Sequence, residues 1–372
     1  MLNSSLNQTR SINIRNSDSI FNGSNKNVNN IEKSEADELL PDENGLLIIP
    51  DDYNGKILPH AFIGREDLVQ VRASFISKVC VEAFKNCPNL VEVNFPNATI
   101  IGDEAFCNCK SLIKANMKNA GKIGRKAFYN CTSLIIADFP SAKSIEPKTF
   151  YGCKSLIEAN FQSVKTIWTE AFYDCRALNT ATFPNADTIE GRAFYDCESL
   201  NNINFKSAVT IGQEAFYGCE AFLNINFPKA SIIKPEAFCS CTSLRIIRIP
   251  NALAIGPDVF QDCSSLAIVI MSNVDNVDIK NFELWGAISS SKLLYGLENC
   301  DLLREIRVKT KEQCQKIYDI LEDKRSSIRN GDIKLYYGDG SLWSYKKKEE
   351  QKEEKKDEEM DNSQEFSVRE EE

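Results

Sequence analysis

The chain has 372 residues, 42% of them apolar, and a net charge of −9 from 44 basic and 53 acidic side chains. That apolar fraction suffices for a continuous core, and an acidic balance with no basic patch to offset it excludes nucleic acid as the main partner. No run approaches the roughly 18 apolar residues of a membrane span, and the first residues lack the apolar stretch of a secretory signal, so a cytoplasmic location is expected.

Residues 1–40 are rich in Asn and Ser and too poor in large apolar groups to offset the entropy of ordering, so they read as a disordered arm. Beyond them the chain repeats itself. Phenylalanine stands at 62, 84, 106, 128, 150, 172, 194, 216, 238, 260 and 282, a spacing of 22 residues held throughout. A fixed period in the range of about 20–50 residues marks one elongated repeat array rather than two globular domains. The array is expected over 41–309. It opens on a degenerate coil in which Leu46, Ile49, Ile57, Phe62, Leu68 and Val71 occupy the apolar positions of later copies, as a terminal cap does.

Within one copy, Ile101, Ala105, Cys109 and Leu112 recur at the spacing of a helical face, and from Leu112 through Ala115 to Met117 the pattern shifts towards alternation. Each coil is therefore expected to be a helical turn followed by a short strand, an α/β repeat solenoid. Ile101, Phe106, Cys109, Leu112, Ala115 and Met117 would all point inward, against equivalent residues of the coils above and below. Pro96, Pro140, Pro184 and Pro228 follow the strand and end it by lacking an amide hydrogen. After Cys263 the register slips: Trp285 stands where Cys should be, and Cys300, Leu303, Ile306 and Val308 arrive 15 residues late. A loop is expected near 283–297.

The stretch 310–345 departs from the repeat. Thr310 and Gln313 form a capping box, and Cys314, Ile317, Tyr318 and Leu321 share one face of an amphipathic helix. "IKLYY" and "SLWSY" around "GDG" read as a hairpin packed with that helix over the end of the solenoid. Residues 346–372 carry 7 basic against 12 acidic side chains and form a solvated, disordered tail.

The recurring "IGxxAFxxCxSLxxxxFPxA" resembles the leucine-rich repeats of the BspA-like family, the Treponema pallidum type, over about residues 57–308. Ile101-Gly102, Ala105-Phe106, Cys109 and Leu112 carry the motif in one copy, and Ile211-Gly212, Ala215-Phe216 and Cys219 in another. The resemblance implies a right-handed solenoid and, as in many relatives, protein binding or adhesion at a cell surface.

Ten of the 14 cysteines, at 87, 109, 131, 153, 175, 197, 219, 241, 263 and 300, share one coil position. Two readings fit: small buried filler whose S–H groups donate weakly to carbonyls, or a disulfide ladder, since stacked coils bring Cα atoms to about 5 Å. The missing secretion signal favours free thiols. In "CNC" at Cys107–Cys109 and "CSC" at Cys239–Cys241 one thiol should face in and the other out. Neither pair then makes a chelate, and no metal or cofactor is expected.

Between the two inward positions of each strand lies one residue expected on the concave face: Asn94, Asn116, Asp138, Asn160, Thr182, Asn204, Asn226, Arg248 and Ile270. These side chains either bond from coil to coil, as amide ladders do, or form a recognition surface. The neighbouring column runs Glu92, Lys114, Ile136, Glu158, Thr180, Asn202, Asn224, Ile246, Ile268. Ile246, Ile268 and Ile270 would make an apolar patch near the C-terminal end, the kind of cluster that marks contact sites. The strand-centre column, together with Ile246 and Ile268, is thus the candidate partner-binding set.

Tyr129, Tyr151, Tyr173, Tyr195 and Tyr217 follow the repeat Phe and are expected to stack along the flank. Trp168 occupies the Gly position, by structural chance or as an exposed anchor. Sequons at Asn3, Asn7, Asn22, Asn97 and Asn130 matter only on a secretory route. The single His, His60, and the lack of a phosphate loop, nucleophile elbow or zinc-type His pair argue against an enzyme. The expected function is a non-catalytic protein-interaction or adhesion-type scaffold. The alternatives are a glycan-binding surface protein, suited by Asn, Thr, Asp and Tyr, and a cytosolic scaffold acting through its charged tail.

Overall fold

A computed structural model describes residues 39–50, 55–271, 300, 303–323, 333–338 and 340–343. The expected arm up to residue 38, the expected insertion with Trp285, and the tail from 344 lie outside the described residues.

Each 22-residue unit forms one rung with two short strands. The first strand has two residues, and its Ile or Val turns inward while its neighbour faces out, the period-2 geometry of an extended chain. Ten of these, from Lys56–Ile57 to Ala254–Ile255, pair in parallel as a single sheet. Each inward residue sits opposite its copy 22 positions on, as with Ile101 and Ile123 or Ile189 and Ile211. The second strand has three residues and follows the buried Leu. These strands form three parallel sheets along the stack: Leu46–Ile48 to Lys114–Asn116, Ile136–Asp138 to Asn202–Asn204, and Asn224–Asn226 onward. Phe95 makes the last ladder bond of its strand, to the Asn116 carbonyl at 3.0 Å, before Pro96 withholds a hydrogen.

The helical turn expected within each coil is not a helix. Between the two strands the chain makes a wall of turns in which two residues per coil take the left-handed conformation, such as Glu104 (φ 53°) and Asn108 (φ 61°). Glu104, Phe106 and Asn108 then donate their amides to Arg125, Ala127 and Tyr129 of the next coil at 2.9, 2.8 and 2.7 Å. Geometry explains the choice. An α-helix is about 10 Å wide, twice the spacing of about 4.8 Å between paired strands, so a helix in every rung would push the rungs apart. Left-handed backbone costs a non-glycine residue about 1–2 kcal/mol, and here it turns alternate amides along the stack to bond the neighbouring rung. The apolar spacing that mimics a helical face marks successive inward positions around a rung.

The core is a set of columns running along the stack. The repeat Phe rings, from Phe62 to Phe260, lie on one another with centroids 5.0 to 6.0 Å apart. A second column, Phe139, Phe161, Phe183, Phe205 and Phe227, packs beside it. Ile101, Phe106, Cys109, Leu112 and Met117 are fully buried as expected, while Ala115 is only partly so. The cysteine column has a specific role. From Phe106 to Phe260 each repeat Phe carbonyl accepts the amide of the Cys three residues on, as Phe106 does from Cys109 at 3.1 Å. Its second lone pair accepts the thiol of the following coil, Cys131 to Phe106 at 3.1 Å, and ten thiols do this at 2.9 to 3.3 Å. A thiol is small and apolar enough for the core and still offers the donor this carbonyl lacks. Of each expected in-and-out pair, Cys109 and Cys241 lie in the core cluster, whereas Cys107 and Cys239 stand outside it, at the coil position that Tyr fills in the rungs between them, although only 4% exposed.

At the C-terminal end the ladder resumes across the extra 15 residues, with Val269 opposite Ile306. Helix α1, Lys311–Asp323, follows. Its start is held by reciprocal bonds, Thr310 N–H to Gln313 Oε1 at 3.1 Å and Gln313 N–H to Thr310 Oγ at 3.4 Å, the capping box read from sequence. Cys314 and Ile317 are buried and Tyr318 packs on Trp343, while the Leu321 side chain lies outside the described residues. Lys334–Tyr337 and Ser341–Trp343 form the hairpin, and its first strand pairs in parallel with Glu305–Val308. The hairpin therefore prolongs the three-residue-strand face.

None of the 14 cysteines is in a disulfide, and all are buried. Burial pushes the Cys131, Cys175 and Cys197 thiols well above their ordinary value, so these three offer no thiolate near neutral pH, while the hydrogen bond with Cys109 lowers the value of Cys87. A thiol reagent should leave the native protein unlabelled and titrate all 14 groups in denatured, unreduced protein. A count far below that number would show a disulfide ladder instead.

Candidate interaction surface

Alternation along the three-residue strand places its first and last residues outward and its centre inward, as in Glu158, Ala159 and Asn160. The sequence-predicted column accordingly stands in register on this face. Asn94 lies opposite Asn116; Asp138, Asn160, Thr182 and Asn204 follow one another; Asn226, Arg248 and Ile270 continue to Arg307. Amide bonding between coils occurs in part: Asn116 donates to Asn94 at 2.7 Å and Asn160 to Asp138 at 3.1 Å. It lapses at Thr182, and the buried Asn204 Oδ1 has no partner. Most of the column is half-buried, with Asn226 and Arg248 exposed.

Ile246, Ile268 and Ile270 are half-buried rather than prominent. The exposed apolar stripe lies elsewhere, in mid-solenoid. Ile113, Ile135, Ile136 and Ile157 are 42%, 39%, 50% and 50% exposed. Backbone bonds hold the stripe in line, Ile135 N–H to the Ile113 carbonyl and Ile157 N–H to that of Ile135. The signal was present in sequence: each of Ile113, Ile135 and Ile157 follows a buried Leu by one residue, so alternation turns it outward.

The turn wall forms a different surface. Tyr129, Tyr151, Tyr173, Tyr195 and Tyr217 stack with centroids 4.6 to 4.9 Å apart, as expected. Lys126 and Lys148 sit 5.7 Å over the rings of Tyr129 and Tyr151. Beside the rings runs a ladder of ion pairs between rungs: Lys85 with Glu104, Lys148 with Glu170, and Arg192 bidentate on Glu214 at 2.9 and 3.0 Å, with Lys85 also paired to Glu82 in its own rung. His60 pairs with Glu82 at 3.2 Å. Trp168 is 40% exposed. Among the described residues no group of three or more His, Cys, Asp or Glu is placed to hold a metal, and no helix is long and apolar enough to cross a membrane.

The BspA type leucine rich repeat region matches residues 77–188 and 165–285, together more than half of the 372-residue chain. The chain belongs to the BspA-type leucine-rich repeat family. Bacterial leucine-rich repeat proteins of solved structure are similar to it at low identity. A leucine-rich cell surface protein from Faecalibacterium prausnitzii is 20% identical, with 67% of this chain and 94% of that one covered and a TM-score of 0.33. A leucine-rich repeat protein from Bacteroides ovatus is 18% identical over 71% and 92%, with a TM-score of 0.34. The Treponema pallidum leucine-rich repeat protein is 17% identical over 65% and 84%, with a TM-score of 0.26. No curated protein matches the chain.

Burial raises the Tyr195 hydroxyl to about 12, with Asp196 and the flanking tyrosines adding to the effect, and raises Tyr151 and Tyr173 in the same direction. A hydroxyl whose folded value lies above the unfolded value of about 10 contributes stability that is intact below pH ~10 and lost as pH rises through the folded value. Urea unfolding should therefore show falling stability between about pH 10 and 12, less so in Tyr195→Phe. A wild-type curve flat across that window would contradict the buried stack.

Proposed function

We propose that this BspA-type solenoid is a non-catalytic scaffold that binds a protein partner through its three-residue-strand face. The exposed stripe Ile113, Ile135, Ile136 and Ile157 carries the reading. Contiguous exposed apolar side chains in an otherwise polar face mark contact sites, because leaving them in water costs free energy that a partner recovers. The stripe adjoins the half-polar column from Asn94 to Asn226, whose amides offer donors and acceptors at each rung and would set the partner's register. Arg248, Ile246, Ile268 and Ile270 extend the same face towards the C-terminal end. The rigid spacing of the rungs suits an extended contact in which a few apolar anchors provide affinity and polar rungs provide specificity.

A glycan is the second reading, favoured by the Asn and Thr outward positions from Thr180 to Asn226 and by the adjacent half-buried ladder. The same scaffold would serve in the cytosol or, as the family resemblance implies, at a cell surface. Protease shaving of intact cells distinguishes the two.

Ile135→Asp with Ile157→Asp tests the site. Both side chains are exposed, so the melting temperature should hold, while proteins retained by the immobilised wild-type chain should be lost at least about tenfold, the loss of roughly 1.4 kcal/mol or more. Retention unchanged in the double variant would remove the stripe from the interface. A glycan-array signal that survives the substitution would favour sugar.

A further inference from the structure

The C-terminal end of the three-residue-strand face gathers cations that are scattered in sequence. Arg248 and Arg307 flank Ile270 on adjacent strands, and Arg245 and Arg304 flank Ala267 one step before those strands. All four arginines are exposed. Two rungs separate each pair, about 10 Å, and three residues of extended chain separate Arg245 from Arg248 and Arg304 from Arg307, again about 10 Å. The four thus frame a square with half-buried Ile246, Ile268 and Ile270 inside it. Lys334 joins the same face opposite Glu305. Among the described residues Glu305 is the one carboxylate on it, and it is bound to Arg307 at 2.8 Å. Counted over the described residues, five cations against one anion give this patch +4 on a chain of net −9. Among the described residues Arg245, Arg248 and Arg304 have no ion-pair partner.

Such a patch fits an anionic peptide that also carries apolar side chains, because guanidinium groups pair with carboxylates and the isoleucines between them remain partly wet. The chain's own tail has this composition. Residues 357–372, "DEEMDNSQEFSVREEE", hold 8 acidic groups and 1 basic group, with Met360, Phe366 and Val368 among them. Residues 346–356, by contrast, hold 6 Lys and 4 Glu. The tail leaves from Trp343 in the same sheet, three strands from Ile268–Ile270, a distance of about 15 Å. Thirteen residues lie between Trp343 and Asp357, and a coil of that length would reach about 20 Å, enough to bring the acidic segment to the patch at high effective concentration.

We propose that the acidic segment 357–368 docks in cis on the arginine-framed patch of Arg245, Arg248, Arg304 and Arg307 and covers Ile268 and Ile270. The contact would mask the C-terminal end of the binding face until a competing partner displaces the tail. It stands on charge and tether length and does not depend on a partner binding at the isoleucine stripe.

A photo-crosslinking residue in place of Phe366 in the full chain tests it. The expected product is an intramolecular crosslink to residues 245–270 or 303–308, independent of protein concentration. Its yield should fall at least about fivefold in Arg245→Glu with Arg304→Glu and in about 0.5 M salt, as a screened contact between exposed charges requires. Both arginines are exposed, and an unchanged melting temperature excludes misfolding as the cause. Crosslinks to other surfaces, crosslinks only between chains, no crosslink, or a yield indifferent to both salt and charge reversal would each overturn the proposal.

Discussion

The constraint on which the structure depends is that every rung completes the backbone hydrogen bonding of its neighbours. In the two-residue strands and the three-residue strands amides of one coil meet carbonyls of the coil beside it, and in the turn wall such bonds alternate with ones that close within the rung, as Cys107 N–H does on Glu104. A 22-residue unit cannot satisfy its own polar backbone or bury its own Phe, so it has no stable existence alone. The rigidity of the period follows. A residue gained or lost inside a coil would shift every later donor against its acceptor and turn inward side chains outward. Two changes of length are described, two extra residues where Leu47 pairs with Val71 and 15 where Val269 pairs with Ile306, and the register resumes on the far side of each.

The same constraint divides the residues by task. Inward positions carry Phe, Leu, Ile, Ala and Cys with little variation, because each must match the copies above and below in volume. Cysteine joins them for its donor, which meets a carbonyl left with one unused lone pair. Outward positions are free to change from coil to coil, and they do. Along one face the character passes from amide pairs at Asn94 and Asn116, through the isoleucine stripe, to polar Thr and Asn, and finally to arginines. The turn wall carries stacked tyrosines and ion pairs of half-exposed side chains, each pair worth little, about 0–1 kcal/mol. One scaffold therefore displays several chemically distinct surfaces, as the non-enzymatic character of the leucine-rich repeat family would lead one to expect.

Much of this was legible in the sequence, because periodicity reports burial directly. The inward columns, the Tyr stack, the thiol-to-carbonyl bonds and the capping box of helix α1 all follow from residue type and spacing. The turn wall did not. Apolar residues spaced like a helical face are also spaced like the corners of a rung, and only the rung separation, too small for a helix, decides between them. Cys107 and Cys239 stand outside the core cluster that holds Cys109 and Cys241, but their near-complete burial was not legible from helical geometry. The isoleucine stripe was overlooked because attention fell on strand centres, although Leu112-Ile113, Leu134-Ile135 and Leu156-Ile157 already alternate in from out. The arginine square is a different case: Arg245, Arg248, Arg304 and Arg307 are brought together across the extra residues after Met271, and no local pattern signals it.

Pulsed electron spin distance measurement along one outward column tests the stacked-rung account most directly. A nitroxide on Asn202→Cys, paired in turn with one on Glu158→Cys, Lys114→Cys or Gln70→Cys, spans two, four or six rungs, and the buried native thiols remain unlabelled. Equal increments of about 10 Å for every two rungs are predicted, from two spacings of about 4.8 Å. Distances that rise and then level off or fall, as in a compact globule where separation in sequence does not translate into separation in space, would contradict it.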